Sequence, residues 1–355
     1  MTTDAGLYVL GSQYAPQSGG EYRLPEIMTV RGPALPRAPL GPRAYDINGL
    51  VDAKGNARLF WMSPCCVDIG SDNSFLDREA LYTSTFLDGY WTQPDRISVA
   101  RRIGRDGLSQ PIMDSDGRVH MAMSVASNGI LRPMHILLHD GGWQKQAIAS
   151  RGVYTRLGMI EGGGVGAVHV SGPPVRYSMH RAGVWLSRIG PHDSIRPALV
   201  HASTVNAFDP LLVSSAGSLH VAWTADLDGN PLSWEALYTT RSTHGGTRWH
   251  AAHRVDSAGH ISRLHALRHP EGLLLVYLRS EEFGKAARIF AARFEGTWSR
   301  PLAVLPRSDV TELGVAITKA GELAMAFTTA PSEQDPDGTT YYLTLTCTVA
   351  GGRSS

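Results

Sequence analysis

The sequence predicts an all-β fold, a six-bladed β-propeller of four-stranded antiparallel blades. Three observations predict it. The stretch from Asn206 to Val255 reads as a complete four-strand unit. Weaker copies of that unit stand on both sides of it. The turn glycines Gly55, Gly117, Gly164, Gly217, Gly272 and Gly321 recur at intervals of roughly 50 residues, near the ~40–50-residue repeat of propeller blades. A seven-bladed ring is the competing count.

Within the most complete unit, Asp209-Pro-Leu-Leu-Val-Ser-Ser is a short apolar strand and Ala216-Gly217 a turn. Ser218-Leu-His-Val-Ala-Trp223 then alternates apolar with small or polar residues, as a sheet strand does. A polar loop, Asp226 to Pro231, leads to a third strand at Glu235 to Thr240. Gly245-Gly246 turns the chain into a fourth, Trp249 to Val255. The same order assigns blades to residues 45–98, 108–150, 153–189, 206–255, 261–305 and 310–349, within one domain over 1–355.

Residues 1–43 hold a strand candidate, Leu7 to Leu10, and then a passage with Pro25, Pro33, Pro36, Pro39 and Pro42. Proline fixes its own φ and lacks an amide donor, so this passage reads as irregular coil. The sixth unit ends after its third strand, Thr340 to Thr346. Leu7 to Leu10 is therefore expected to supply its fourth strand and close the ring, which removes a sheet edge. A late tryptophan follows a glycine in five units, at Trp91, Trp143, Trp185, Trp249 and Trp298. These are expected to pack near the start of the outer strands.

Composition excludes several function classes. The 355 residues carry 33 Lys and Arg against 32 Asp and Glu, which argues against a nucleic-acid-binding surface. The three cysteines, Cys65, Cys66 and Cys347, form no evident disulfide framework. No basic end followed by an apolar run marks a signal peptide, and no run of about 18 apolar residues marks a membrane span. The expectation is a cytoplasmic protein with no nucleic-acid and no membrane partner. No His, Cys and Asp cluster has metal spacing, so neither a metal nor any other cofactor is expected. His120, His169 and His220 occupy similar places in second strands and read as structural. The loop from Ser63 to Asp77 is a candidate lid.

Ser242-Thr-His-Gly-Gly-Thr-Arg-Trp249 resembles the Asp-box of sialidases, Ser-x-Asp-x-Gly-x-Thr-Trp. Ser242, Gly246 and Trp249 match in register, while His244 holds the Asp position and Arg248 the Thr position. Tyr22-Arg-Leu-Pro25 is similar to the Arg-Ile-Pro element that supplies the first arginine of the sialidase triad. The resemblance implies a diverged sialidase-like propeller. In that family the Asp-box packs on the outside of the propeller, so it speaks for the fold.

Propeller sites are built at one channel mouth, from residues ahead of each innermost strand. Those places hold Asp46 and Asn48, Ser109 and Gln110, Tyr154 and Arg156, Asn206 and Asp209, Arg263 and His265, and Thr311 and Glu312. Asp46, Asp209 and Glu312 are candidates for proton transfer, because a carboxyl in a partly dry mouth has its pKa raised. Tyr154 beside Arg156 is a candidate base or nucleophile. Arg23, Arg156 and Arg263 are candidates for binding a carboxylate through paired hydrogen bonds. Asn48, Gln110, Asn206 and His265 complete the candidate binding set. Bland alternatives stand beside each: arginines paired with local acids, a packing tyrosine, and Asp209 before Pro210 as turn chemistry.

Two functions remain open. One is an enzyme acting on a small polar or acidic substrate, sugar-like or a metabolite. Its reaction would be glycoside hydrolysis, elimination or a diverged tailoring or cyclisation. The other is a non-catalytic lectin-like or scaffold propeller. A lectin with one site per blade would repeat its binding residues, whereas these differ from blade to blade, which favours one asymmetric site. Fold alone does not decide between them.

Overall fold

A computed structural model describes residues 7–11, 26–31, 36, 38–40, 44–51, 56–69, 75–100, 103–127, 130–139, 142–171, 183–190, 196–202, 206–227, 234–269, 272–282, 285–318, 320–330 and 339–345. The fold is an all-β six-bladed propeller of antiparallel blades. The first strands are β1 (Leu7–Gly11) and β2 (Glu26–Arg31). Blade 1 holds β3 (Tyr45–Val51), β4 (Ala57–Ile69), β5 (Phe75–Leu87), β6 (Tyr90–Trp91) and β7 (Asp95–Ala100). Blade 2 holds β8 (Ile103–Leu108), β9 (Ile112–Met113), β10 (Val119–Ser127), β11 (Ile130–His139) and β12 (Gly142–Ala147). Blade 3 holds β13 (Val153–Ile160), β14 (Gly164–Ser171), β15 (Gly183–Ile189) and β16 (Arg196–His201). Blade 4 holds β17 (Ala207–Ser215), β18 (Ser218–Ala225), β19 (Ala236–Ser242) and β20 (His253–Asp256). Blade 5 holds β21 (His260–His269), β22 (Gly272–Ser280), β23 (Arg288–Phe294) and β24 (Leu302–Ala303). Blade 6 holds β25 (Val310–Ile317), β26 (Leu323–Thr329) and β27 (Thr340–Leu345). No helix long and apolar enough to cross a membrane occurs among these residues.

The chain divides into two compact units, Met1–Ala225 with Thr239–Ala252, and Asp226–Tyr238 with His253–Ser355. In the first, Leu50, Phe60, Met62 and Leu81 of blade 1 pack with Leu108, Met121, Met123 and Ile136 of blade 2. In the second, Leu274, Val276, Leu278 and Ile289 of blade 5 pack with Val310, Leu313, Met325 and Phe327 of blade 6. The second strand of blade 5 is buried on both faces: Leu273 to Leu278 are all buried and read as a continuous apolar run. The inner strand β17 alternates buried and half-buried residues instead.

Several local expectations are corrected. Leu7–Gly11 pairs with Glu26–Arg31 rather than with the last blade, whose described strands number three. Glu26–Arg31 was expected to be coil. Ile27, Thr29 and Val30 favour an extended chain, and a nearby partner closes a shorter loop at lower entropic cost. The described residues of the candidate lid, Ser63 to Asp77, belong to two paired strands, with Ser63 opposite Ala80 and Val67 opposite Asp77. Trp185 lies in a third strand, because β16 follows it as the fourth. The other four late tryptophans do stand in or just before fourth strands. All five are half-buried. Trp143 meets Phe60 edge-on at 6.1 Å, and Trp298 tilts against Phe294 at 5.2 Å.

Candidate functional site

The innermost strands of four blades share one irregularity. In blade 1 Tyr45 pairs with Met62 and Asn48 with Phe60, so Asp46 and Ile47 together oppose Trp61. In blade 3 Tyr154 and Thr155 oppose His169. In blade 4 Asp209 and Pro210 oppose Trp223. In blade 5 Arg263 and Leu264 oppose Tyr277. Each is a β-bulge, two residues against one, which re-aims side chains. Blade 6 has a bulge one residue shorter, with Thr311 extra between Val310 and Glu312.

The opposed residues Trp61, His169, Trp223 and Tyr277 are all rings, and all are at most 2% exposed. The second residue of the bulge is buried in three of the four: Thr155, Pro210 and Leu264. The first is half-buried or exposed in every case. It is also left-handed: φ is 49° at Asp46, 51° at Tyr154, 43° at Asp209 and 49° at Arg263. That conformation costs a residue with a Cβ about 1–2 kcal/mol. The remaining left-handed non-glycine residues among the described ones, Asp88 and Ala216, precede Gly89 and Gly217 in tight hairpin turns and have a local reason.

In the first unit the bulges of blades 3 and 4 are neighbours. Gly158 of β13 makes this approach possible, because a Cβ there would lie 2.4 Å from the Leu212 carbonyl oxygen. Arg156 Nη2 consequently donates to Asp209 Oδ1 at 3.4 Å, and its Nη1 donates to the Thr155 carbonyl at 3.2 Å. Both side chains of the pair remain partly exposed, 23% for Arg156 and 30% for Asp209. The Tyr154 ring stands edge-on to Phe208 at 5.7 Å. Asn206 is buried immediately before β17. In blade 1 of the same unit, Asn48 donates to the Asp46 carbonyl at 3.1 Å.

In the second unit Arg263 Nη2 donates to Glu312 Oε1 at 2.5 Å, with both side chains about half exposed. His265 Nε2 bonds the Leu313 carbonyl at 3.0 Å. Burial pushes the His265 pKa down to about 4, so the ring is neutral and donates its Nε2–H. It ties the inner strands of blades 5 and 6 together.

Gln110 is exposed beyond β8. Its neighbour Ser109 is fully buried and holds Ala122 twice, through N–H to the carbonyl and through Oγ to N–H. The inner strand of blade 2 is thus split into β8 and β9. Arg23 lies outside the described residues. Sequence reasoning missed Gly158 and the left-handed backbone. A glycine two residues after Arg156, inside a strand, was the signal for a close approach.

Two other polar groups serve the fold. In blade 2 Asp114 Oδ2 bonds His120 Nε2 at 3.0 Å, and His120 Nδ1 bonds His135 Nε2 at 3.0 Å. Burial, then the neighbouring His120, pushes the His135 pKa down to about 3. In the Ser242 turn, Ser242 Oγ accepts from Gly246 N at 2.9 Å and His244 N at 3.3 Å, and Trp249 Nε1 donates to the Gly246 carbonyl at 3.1 Å. That turn is a packed, self-bonded hairpin. His120, His169 and His220 are all buried, as expected of structural positions. They are not equivalent, because His169 opposes a bulge while His220 stands three residues before the ring that does so in blade 4.

No protein-family model and no curated protein sequence matches the chain. Solved structures do. A sialidase NanB from Streptococcus pneumoniae superposes with a TM-score of 0.52 at 7% identity, covering 86% of this chain and 68% of that one. The Hadza microbial sialidase Hz136 gives 0.54 at 11% identity, covering 86% and 66%. The chain shares the propeller fold of these sialidases. A protein of unknown function from Dyadobacter fermentans also shares this propeller, with a TM-score of 0.57 at 14% identity over 84% of this chain and 93% of that one. At such identities the likeness concerns the fold.

Proposed function

We propose that this sialidase-like propeller is an enzyme acting on a small polar or acidic, sugar-like molecule, bound over the bulged inner strands at Tyr154, Arg156 and Asp209. The observation that carries the proposal is the set of left-handed, non-glycine bulge residues. Glycine takes this conformation without steric cost. A carboxylate, a phenol and a guanidinium in its place fit strain held at a functional site. Arg156 would orient the ligand, and Asp209 would transfer a proton beside it. Tyr154 would act as base or nucleophile next to the guanidinium, and Asp46 stands at the matching place of blade 1. Arg263 and Glu312 repeat the basic–acidic pairing in the second unit. Two of the structurally similar proteins are sialidases, which supports a carbohydrate ligand and glycoside cleavage as the reaction class. The Ser242 turn reads as a diverged Asp-box with an outer, packing role.

The test uses Tyr154→Phe, which keeps the ring against Phe208, and Asp209→Asn, which keeps the size. Turnover of a panel of 4-methylumbelliferyl glycosides should fall at least ~100-fold in both, the usual scale for removing an acid–base group, with unchanged melting. Parent-like turnover in both variants would remove the chemistry from these strands.

A further inference from the structure

Building on the site reading above, we infer that the Arg156–Asp209 site selects an uncharged, polyhydroxylated ligand, a neutral sugar, over a carboxylated one. A guanidinium that selects a carboxylate must offer its charge to the ligand. Arg156 is instead paired with Asp209 across two adjacent blades. The pairing is built into the backbone, since Gly158 lets β13 approach Leu212 and the bulge at Asp209 aims the carboxylate. A ligand carboxylate on Arg156 would meet the like charge of Asp209 at hydrogen-bonding range, and like charges brought together in a site repel strongly.

Hydroxyl groups meet no such conflict. Each both donates and accepts. A vicinal diol donates to a carboxylate while accepting from a guanidinium, whose five N–H groups serve several acceptors at once. Tyr154, half-buried and edge-on to Phe208, which precedes Asp209 in the chain, would offer an apolar surface to the C–H face of a sugar. The second unit shows the same design independently, with Arg263 paired to Glu312. At both bulge pairs the positive charge is matched before any ligand arrives.

The test is calorimetric titration of the full chain with four probes: methyl β-D-glucopyranoside, methyl α-D-galactopyranoside, D-glucuronic acid and N-acetylneuraminic acid. The parent should bind a neutral glycoside at least about tenfold tighter than either acid. Asp209→Asn, which removes the negative charge beside Arg156, should shift that ratio at least about tenfold toward the acids. If the acids bind the parent as tightly as the glycosides, and Arg156→Ala abolishes that binding, the neutral-ligand inference falls while the site stands. If binding of every probe is indifferent to both Arg156→Ala and Asp209→Asn, the site itself falls. If no probe binds the parent or Asp209→Asn, both readings fall.

Discussion

Arg263 gives the cleanest test of the strained bulges. Its φ is 49° and its side chain is 52% exposed, in a solvent-facing ion pair with Glu312. Such a pair is worth ~0–1 kcal/mol, and Arg263→Ala and Arg263→Gly both lose it. The difference between the two variants therefore reports the backbone alone. Alanine still suffers the left-handed penalty of about 1–2 kcal/mol. Glycine avoids that penalty but loses more chain entropy on folding, about 0.5–1 kcal/mol. The glycine variant should thus be the more stable by about 0.5–1 kcal/mol. Arg268 is the control: it is exposed on the same strand and paired in register with Leu273. There the order should invert, with alanine better by about 0.5–1 kcal/mol. Urea unfolding of the four variants gives the comparison. If alanine is better than glycine at both positions, residue 263 carries no left-handed strain, and the same doubt extends to Asp46, Tyr154 and Asp209.

Other outcomes follow from the same geometry. Gly158→Ala should cost about 1–3 kcal/mol by overpacking against the Leu212 carbonyl; an unchanged urea midpoint would mean that the inner strands of blades 3 and 4 do not approach there. Acid should destabilise the fold, because burial pushes His135 down to about 3 and His169 and His220 down to about 4. The folded state keeps these rings neutral, so their contribution is complete above an unfolded pKa near 6.5 and is lost progressively below it, at up to ~1.4 kcal/mol per pH unit for each ring. Equal urea midpoints at pH 7 and pH 5 would contradict this. Trp223→Ala, at a ring 1% exposed, should cost about 3–5 kcal/mol, and more than Trp298→Ala at its half-buried site; the reverse order would show that the burial pattern is misread. Ser242→Ala leaves the buried Gly246 N–H without its acceptor and should cost about 1–3 kcal/mol while leaving glycoside turnover unchanged; loss of turnover at parent stability would give the turn a functional role.

The blades were legible because their signals are local. A hairpin turn needs glycine at positive φ, and Gly117, Gly217 and Gly321 have it. A second strand buried on both faces must be apolar throughout, as Leu273 to Leu278 are. Strand pairing between distant segments has no such mark. Nothing in Leu7-Tyr-Val-Leu distinguishes Glu26–Arg31 from Thr340–Leu345 as a partner, since both are extended and rich in β-forming residues. The fourth strand of blade 3 was missed for the opposite reason. Arg196-Pro-Ala-Leu-Val-His begins with a charge and a proline, which are weak strand signals, although proline is tolerated near the start of an edge strand.

The candidate site was legible by position but not by conformation. Polar side chains expected ahead of each inner strand stood out against the apolar cores; four of them lie inside those strands, as the left-handed bulge residues. No sequence rule announces a left-handed arginine or tyrosine, because local preference runs against it. The surroundings must impose the conformation. In blades 3, 4 and 5 a buried ring on the second strand occupies the space across the ladder, and a small or apolar second bulge residue is drawn into the core beside it. The first residue is then left to turn outward. On this account the ring and the buried second residue set the shape, and the first residue, half-buried or exposed, does not have to fill the core. That division permits Asp46, Tyr154, Asp209 and Arg263 to differ chemically while their φ angles all lie between 43° and 51°.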